Sequence, residues 1–219
     1  MSEHNSVNNL MFIKETLKKK FNDQKNPTII AVSKTFDKNK IMPVINSGHI
    51  DFGENKVQEA YEKWVTIKET RKNLKLHMIG KLQSNKAKIA VSLFDYIHSL
   101  DNKKLADRIA NEQIKQKKIP KIFIQVNIGK EEQKSGIGID ELYNFNDYCQ
   151  NINLKIIGLM CIPPINESST NFFKKLYVLS RDLKLKELSM GMSTDYIDAV
   201  ENGSTFIRIG SSIFGSRNS

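Results

Sequence analysis

Eight short apolar runs, each followed by a longer amphipathic stretch, set the terms on which this chain can fold. The runs are TIIAVSK (28–34), HIDFGEN (49–55), LKLHMIG (74–80), FDYIHSL (94–100), KIFIQVNI (121–128), LKIIGLMCI (154–162), KELSMGM (186–192) and TFIRIGSSIF (205–214). All are of strand length and rich in Ile, Val and aromatic residues. Between them lie helix signals. Asp37 opens a stretch that stops at Asn46-Ser47-Gly48, and Asp101 precedes a face built from Leu105, Ala106 and Ile109. Residues 140–150, 167–182 and 195–202 repeat the scheme, and a leading helix is expected over 7–21 with Leu10, Ile13 and Leu17 on one side. Strands that alternate with helices become parallel neighbours, because only a crossover can bring the chain back in the same direction. Eight such units in 219 residues predict a single (β/α)8 barrel near the lower end of its size range. An open doubly wound sheet is the rival. It is disfavoured because no G-x-G-x-x-G follows the first strand. The expected layout is a leading helix and linker over 1–27, the barrel over 28–215 and a tail at 216–219.

Composition removes several classes of function. With 39% hydrophobic and 26% charged residues the chain reads as a globular protein with a sizeable core. No window approaches the roughly 20 apolar residues of a membrane span, and MSEHNSVNNL lacks the basic-then-apolar order of a signal peptide. Cys149 and Cys161 are the only cysteines, which suits a reducing cytoplasm. The net charge of +10 invites a nucleic-acid reading. However, only Arg71, Arg108, Arg181, Arg208 and Arg217 are arginines, and the lysines are scattered along helical stretches. That pattern reads as solvated helix faces, so neither nucleic acid nor membrane is expected as a partner.

In barrels of this type the chemistry sits at the carboxyl ends of the strands. Alternation turns Ile30, Val32 and Lys34 to one face of the first strand, and Phe206, Arg208 and Gly210 to one face of the eighth. The aliphatic pair Ile207 and Ile209 suits the helix layer, which sends Arg208 inward. When the barrel closes, Lys34 and Arg208 look into the same mouth. Two converging cations call for an anionic or electron-rich partner. The loops after the last two strands, Ser189-Met190-Gly191-Met192-Ser193 and Gly210-Ser211-Ser212, supply glycines and hydroxyls that suit a phosphate. An amine for a carbonyl, an arginine and a phosphate cradle together describe a pyridoxal 5'-phosphate (PLP) site. Asn55, at the end of the second run, either joins that site or caps the helix that follows. His4, His49, His77 and His98 show no metal spacing, and His77 and His98 read as hydrogen-bonded core residues. Gln125 and Asn127 share a strand face and carry no assigned chemistry.

The blocks AVSKTF (31–36), FGENKVQE (52–59), HMIGKLQSNK (77–86), KSGI (134–137), GLMCIPP (158–164), LSMGMSTD (188–195) and STFIRIGSSIFG (204–215) resemble the pyridoxal phosphate homeostasis protein family, over nearly the whole chain. The resemblance implies a barrel like the amino-terminal half of alanine racemase, with a Schiff base between Lys34 and the cofactor aldehyde. It implies phosphate contacts from Ser189, Gly210 and Ser211, Arg208 at the pyridine nitrogen and Asn55 beside the ring. Lys56 stands where tyrosine is common in the family, and Cys161 where threonine or alanine is common. The implied function is a cytoplasmic, monomeric PLP carrier involved in PLP and amino-acid homeostasis, with PLP-dependent apoenzymes as recipients. The alternative is a PLP-dependent amino-acid racemase or related enzyme. The racemase would want a second acid/base from a further domain, which is not expected in a chain ending at Ser219.

Overall fold

The computed structural model describes residues 3–131 and 133–215, without the side chains of Glu3 and His4; the tail expected at 216–219 lies outside the described residues. Eight parallel strands close into a barrel in sequence order: β1 (Thr28–Val32), β2 (Asp51–Glu54), β3 (Lys75–Met78), β4 (Tyr96–Leu100), β5 (Lys121–Gln125), β6 (Ile156–Met160), β7 (Glu187–Ser189) and β8 (Phe206–Ile209). The expected (β/α)8 architecture is what forms. The β1–β8 seam pairs Ile30 with Arg208 and Ala31 with Ile209, so the two strands that carry the candidate cations are neighbours.

The helices are α1 (Glu3–Phe21), α2 (Lys38–Asn46), α3 (Val57–Thr70), α4 (Ala87–Leu93), α5 (Lys103–Gln116), α6 (Ile139–Asn151), α7 (Ser169–Asp182), α8 (Tyr196–Glu201) and α9 (Ser211–Phe214). Asp37 caps α2 by accepting from the Lys40 N–H, and Asn102 caps α5 by accepting from Leu105. Leu10, Ile13 and Leu17 of α1 are buried, and Asn9 donates to the Ile213 carbonyl of α9. The leading helix therefore packs beside a final helix of only four residues.

Three expectations about the elements need correction. The run at 205–214 is not one strand: β8 stops at Ile209 and α9 begins at Ser211, because the chain turns at Gly210 over the mouth. The leading helix begins at Glu3, earlier than 7. Asp195 precedes α8, but its carboxylate accepts from the Met192 N–H, so it ties the preceding loop instead of capping the helix.

Alternation along the strands separates two cores. Ile29, Ala31, Phe52, Leu76, Ile97, Ile124, Leu159, Ile207 and Ile209 face the helices. Ile30, Tyr96, Phe123, Met160 and Phe206 fill the barrel interior. His77 stacks on Tyr96 and His98 on Phe123, each with ring centroids 4.3 Å apart, and Phe206 touches all four rings. The interior is a packed plug, as small parallel barrels require.

Candidate functional site

A cavity of about 330 Å³ opens at the carboxyl ends of β1, β2 and β8, within the range of small-ligand sites. Lys34, Asn55, Arg208, Gly210 and Ser211 line it, together with Ser193 and Thr194 from the loop after β7 and apolar walls from Val32, Phe36, Ile79 and Ile162. Five of the six residues singled out from sequence thus meet in one place. Ser189 does not. It is fully buried at the end of β7, below the mouth, and its hydroxyl is taken by His98 Nδ1 and Arg208 Nη1, each at 2.8 Å. The hydroxyls that reach the cavity from that loop are four and five residues further on. Ser193 also joins the two phosphate-loop candidates, accepting from the Ser212 N–H at 3.3 Å.

Lys34 occupies a tight turn. Thr35 is left-handed, with φ of 67°, a conformation β-branched residues avoid. The turn closes where the Phe36 N–H donates to the Ser33 carbonyl. Ser33 is pinned from several sides: its N–H donates to Gly53 O, its hydroxyl to Glu54 Oε1 at 2.7 Å, and its carbonyl accepts from Lys63 Nζ at 2.9 Å. Glu54 is itself fully buried, and the same Oε1 accepts from Lys63 Nζ (3.0 Å) and Trp64 Nε1 (2.9 Å). This cluster was missed in the sequence. Its signal was available, because Glu54 falls on the helix-facing side of β2 among apolar residues, where a carboxylate needs a cation. The cluster fixes the base of the turn while Lys34 reaches the cavity.

Arg208 is 5% exposed. Nη1 donates to the Ser189 carbonyl (2.7 Å) and hydroxyl, and Nη2 to the Cys161 carbonyl at 2.9 Å. Of its five N–H donors, three are taken among the described residues by these neutral oxygens, none of them a carboxylate. Burial lowers its pKa, with the Cys161 and Asp195 side chains opposing. Burial pushes the Cys161 thiol up to about 12, so it is no thiolate near neutrality and packs as an apolar group in the helix-facing core. Behind Ser189 the polar contacts continue through the plug: His98 Nε2 lies 3.0 Å from His77 Nδ1, and His77 Nε2 lies 3.1 Å from Asp51 Oδ1.

A second hollow of about 370 Å³ adjoins the first and shares Asn55, Ile79 and Ile162 with it. Gln125 and Asn127 line it, and they also hold the loop at its edge. Gln125 donates to the Ser135 carbonyl, while Asn127 both donates to Glu131 O and accepts from its N–H. A third hollow, of about 570 Å³, lies away from the mouth on the outer face, lined by Lys88, Lys104, Arg108 and polar neighbours. Among the described residues no group of His, Cys, Asp and Glu side chains could hold a metal ion. No described helix is long and apolar enough to cross a membrane.

With this geometry in hand, residues 8–218 match the family described as alanine racemase, N-terminal domain. The pyridoxal phosphate homeostasis protein of Haemophilus influenzae is 38% identical over 94% of this chain and 92% of its own length. The chain belongs to the pyridoxal phosphate homeostasis protein family. Another pyridoxal phosphate homeostasis protein, from Aquifex aeolicus, is 38% identical over 86% of each chain. Among solved structures, PipY of Synechococcus elongatus PCC7942 with PLP bound superposes with a TM-score of 0.85 at 33% identity, covering 96% of this chain and all of that one. The barrel is also found outside this family: an alanine racemase from Clostridium difficile matches with a TM-score of 0.73 at 13% identity, which speaks to fold alone.

Proposed function

We propose that this chain binds PLP at the barrel mouth as an imine on Lys34, and that it serves intracellular PLP and amino-acid homeostasis as a reversible cofactor holder. One observation carries the reading: an amine, a buried donor-only guanidinium and two hydroxyl-bearing glycine loops line a single cavity. The PLP-bound PipY relative supports the choice of ligand. Bound PLP would supply an aldehyde for amine capture and an aromatic electron sink.

The residues divide the work by chemistry. Lys34 would hold the cofactor through its amine, the group that can condense reversibly with an aldehyde at the cost of one water. Ser193, Thr194, Gly210 and Ser211 suit the phosphate, in place of the deeper Ser189. Asn55, on the cavity wall, would flank the ring. Arg208 can only donate, so it favours an unprotonated pyridine nitrogen, and PLP held that way stabilises a carbanion less than its pyridinium form. That preference suits a holder over a racemase. Cytoplasmic residence, a monomeric state and delivery to PLP-dependent apoenzymes belong to the same reading.

Borohydride reduction of PLP-loaded protein, followed by peptide mass mapping, tests it. A reduced pyridoxyl adduct on Lys34 is the expected product; a protein that stays colourless and unmodified there after soaking in excess PLP overturns the proposal. Incubating loaded protein with single-enantiomer amino acids in deuterated water separates holder from enzyme, since sustained α-deuteration would favour the racemase.

A further inference from the structure

Asp51, His77, His98, Ser189 and Arg208 stand on five different strands, β2, β3, β4, β7 and β8, yet they form one unbroken string of hydrogen bonds through the barrel plug. The string begins at the first residue of β2, on the amino-terminal side, and ends at the guanidinium beneath the cavity. Its two ends are chemically unlike. Arginine has donors only, and a carboxylate has acceptors only. Each of the three groups between them touches one partner on either side.

That asymmetry fixes the direction of every hydrogen. Arg208 Nη1 donates to Ser189 Oγ. For the hydroxyl to use its own hydrogen within the string, it donates to His98 Nδ1. His98 then carries its hydrogen on Nε2 and donates to His77 Nδ1, and His77 likewise carries its hydrogen on Nε2 and donates to Asp51. The reverse arrangement would aim a ring lone pair of His77 at the carboxylate, or would require an imidazolium inside an aromatic plug. Burial disfavours the latter, since both rings are fully buried and their pKa values are lowered chiefly by desolvation, with His77 and Arg208 adding repulsion at His98.

We propose that Asp51, His77, His98 and Ser189 are positioning residues for Arg208: a one-directional hydrogen-bond relay that locks its Nη1 below the mouth and leaves its remaining N–H donors to face a ligand. The carboxylate is the remote counter-charge of the buried guanidinium. Each bond is polarised by the next, so that Ser189 Oγ becomes a stronger acceptor than an isolated hydroxyl. The inference deepens the PLP reading, because Arg208 is the group assigned there to the ring nitrogen, but the relay itself belongs to the protein without ligand.

The test uses long-range ¹H–¹⁵N correlation of the histidine rings in the ligand-free full chain, which reads tautomers directly. Both His77 and His98 are expected as neutral Nε2–H rings; an Nδ1–H tautomer or an imidazolium at either ring near neutral pH overturns the proposal. Asp51→Leu removes the acceptor end and is expected to shift His98, which Asp51 does not touch, toward the Nδ1–H form, whereas Asp51→Asn, which keeps an oxygen, retains the original tautomers. An unchanged His98 in folded Asp51→Leu would overturn the coupling. Should that variant fail to fold, the wild-type tautomers and the Asp51→Asn pattern still decide. In the PLP-loaded protein Asp51→Leu is expected to shift the absorption maximum of the bound cofactor. Failure of wild-type protein to take up PLP would sink the functional reading and leave the tautomers standing; wrong tautomers with normal uptake would do the opposite.

Discussion

Thr35 is held in a conformation its side chain disfavours, and the reason lies two residues before it. A left-handed β-branched residue costs roughly 1–3 kcal/mol and persists only where its surroundings over-determine it. Here Ser33 is that anchor, through Gly53, Glu54 and Lys63. Thr35→Gly removes the strain at a smaller entropic cost, so chemical denaturation should find the variant up to about 1 kcal/mol more stable. Glu54→Ala leaves Lys63 without its buried partner and should cost about 3 kcal/mol or more in the same measurement. It should also slow PLP uptake, because the Lys34 turn loses its base. Lys34→Ala should leave the circular dichroism spectrum unchanged and abolish the borohydride adduct. Arg208→Gln should weaken PLP retention roughly tenfold to a hundredfold, the worth of one charged hydrogen bond, as read by dialysis.

Among the elements, two glycines show how loops are set against strands. A Cβ on Gly80 would fall 2.3 Å from the Asn55 carbonyl oxygen, so the β3 exit and the β2 exit touch backbone to backbone. Gly191 has φ of 89°, and a Cβ there would lie 2.5 Å from Ala199 Cβ of α8. Either glycine changed to alanine should lose about 1–3 kcal/mol in denaturant titrations, with Gly80→Ala disturbing Asn55 and Gly191→Ala disturbing Ser193 and Thr194. The sequence made the strand faces legible because alternation is local: Ile207 and Ile209 had to oppose Arg208. It also placed Lys34 and Arg208 together, since a closed barrel makes the first and last strands neighbours. Ser189 lies below the mouth, apart from the other five, for a reason of the same kind. LSMGMS offers two serines four residues apart, and only the point where a three-residue strand ends decides which one reaches the mouth. Partnerships such as Glu54 with Lys63, or His77 with His98, join different elements in three dimensions. Periodicity marks Glu54 as a helix-facing carboxylate in need of a cation, but it does not say which partner each of these groups meets.

For the molecule as a whole, acid should be the sensitive side. Burial holds His49 down at about 4 and lowers His77 and His98 as well. In the unfolded chain these rings bind protons from about pH 6.5 downward, so the unfolded state holds more protons there and stability falls as pH drops. For His49 alone the loss, complete by about pH 4, amounts to about 3 kcal/mol. Urea midpoints measured from pH 7.5 to 4 should decline across that interval; a flat profile would mean the rings are solvated. The filled centre of the barrel has one more consequence. With Tyr96, Phe123 and Phe206 packed across the axis there is no through-passage, so whatever enters at the carboxyl-terminal rim must leave by the same doorway. For the holder role proposed above, loading and unloading would then be mutually exclusive events at one threshold, and any recipient would have to queue on the face from which the cargo came.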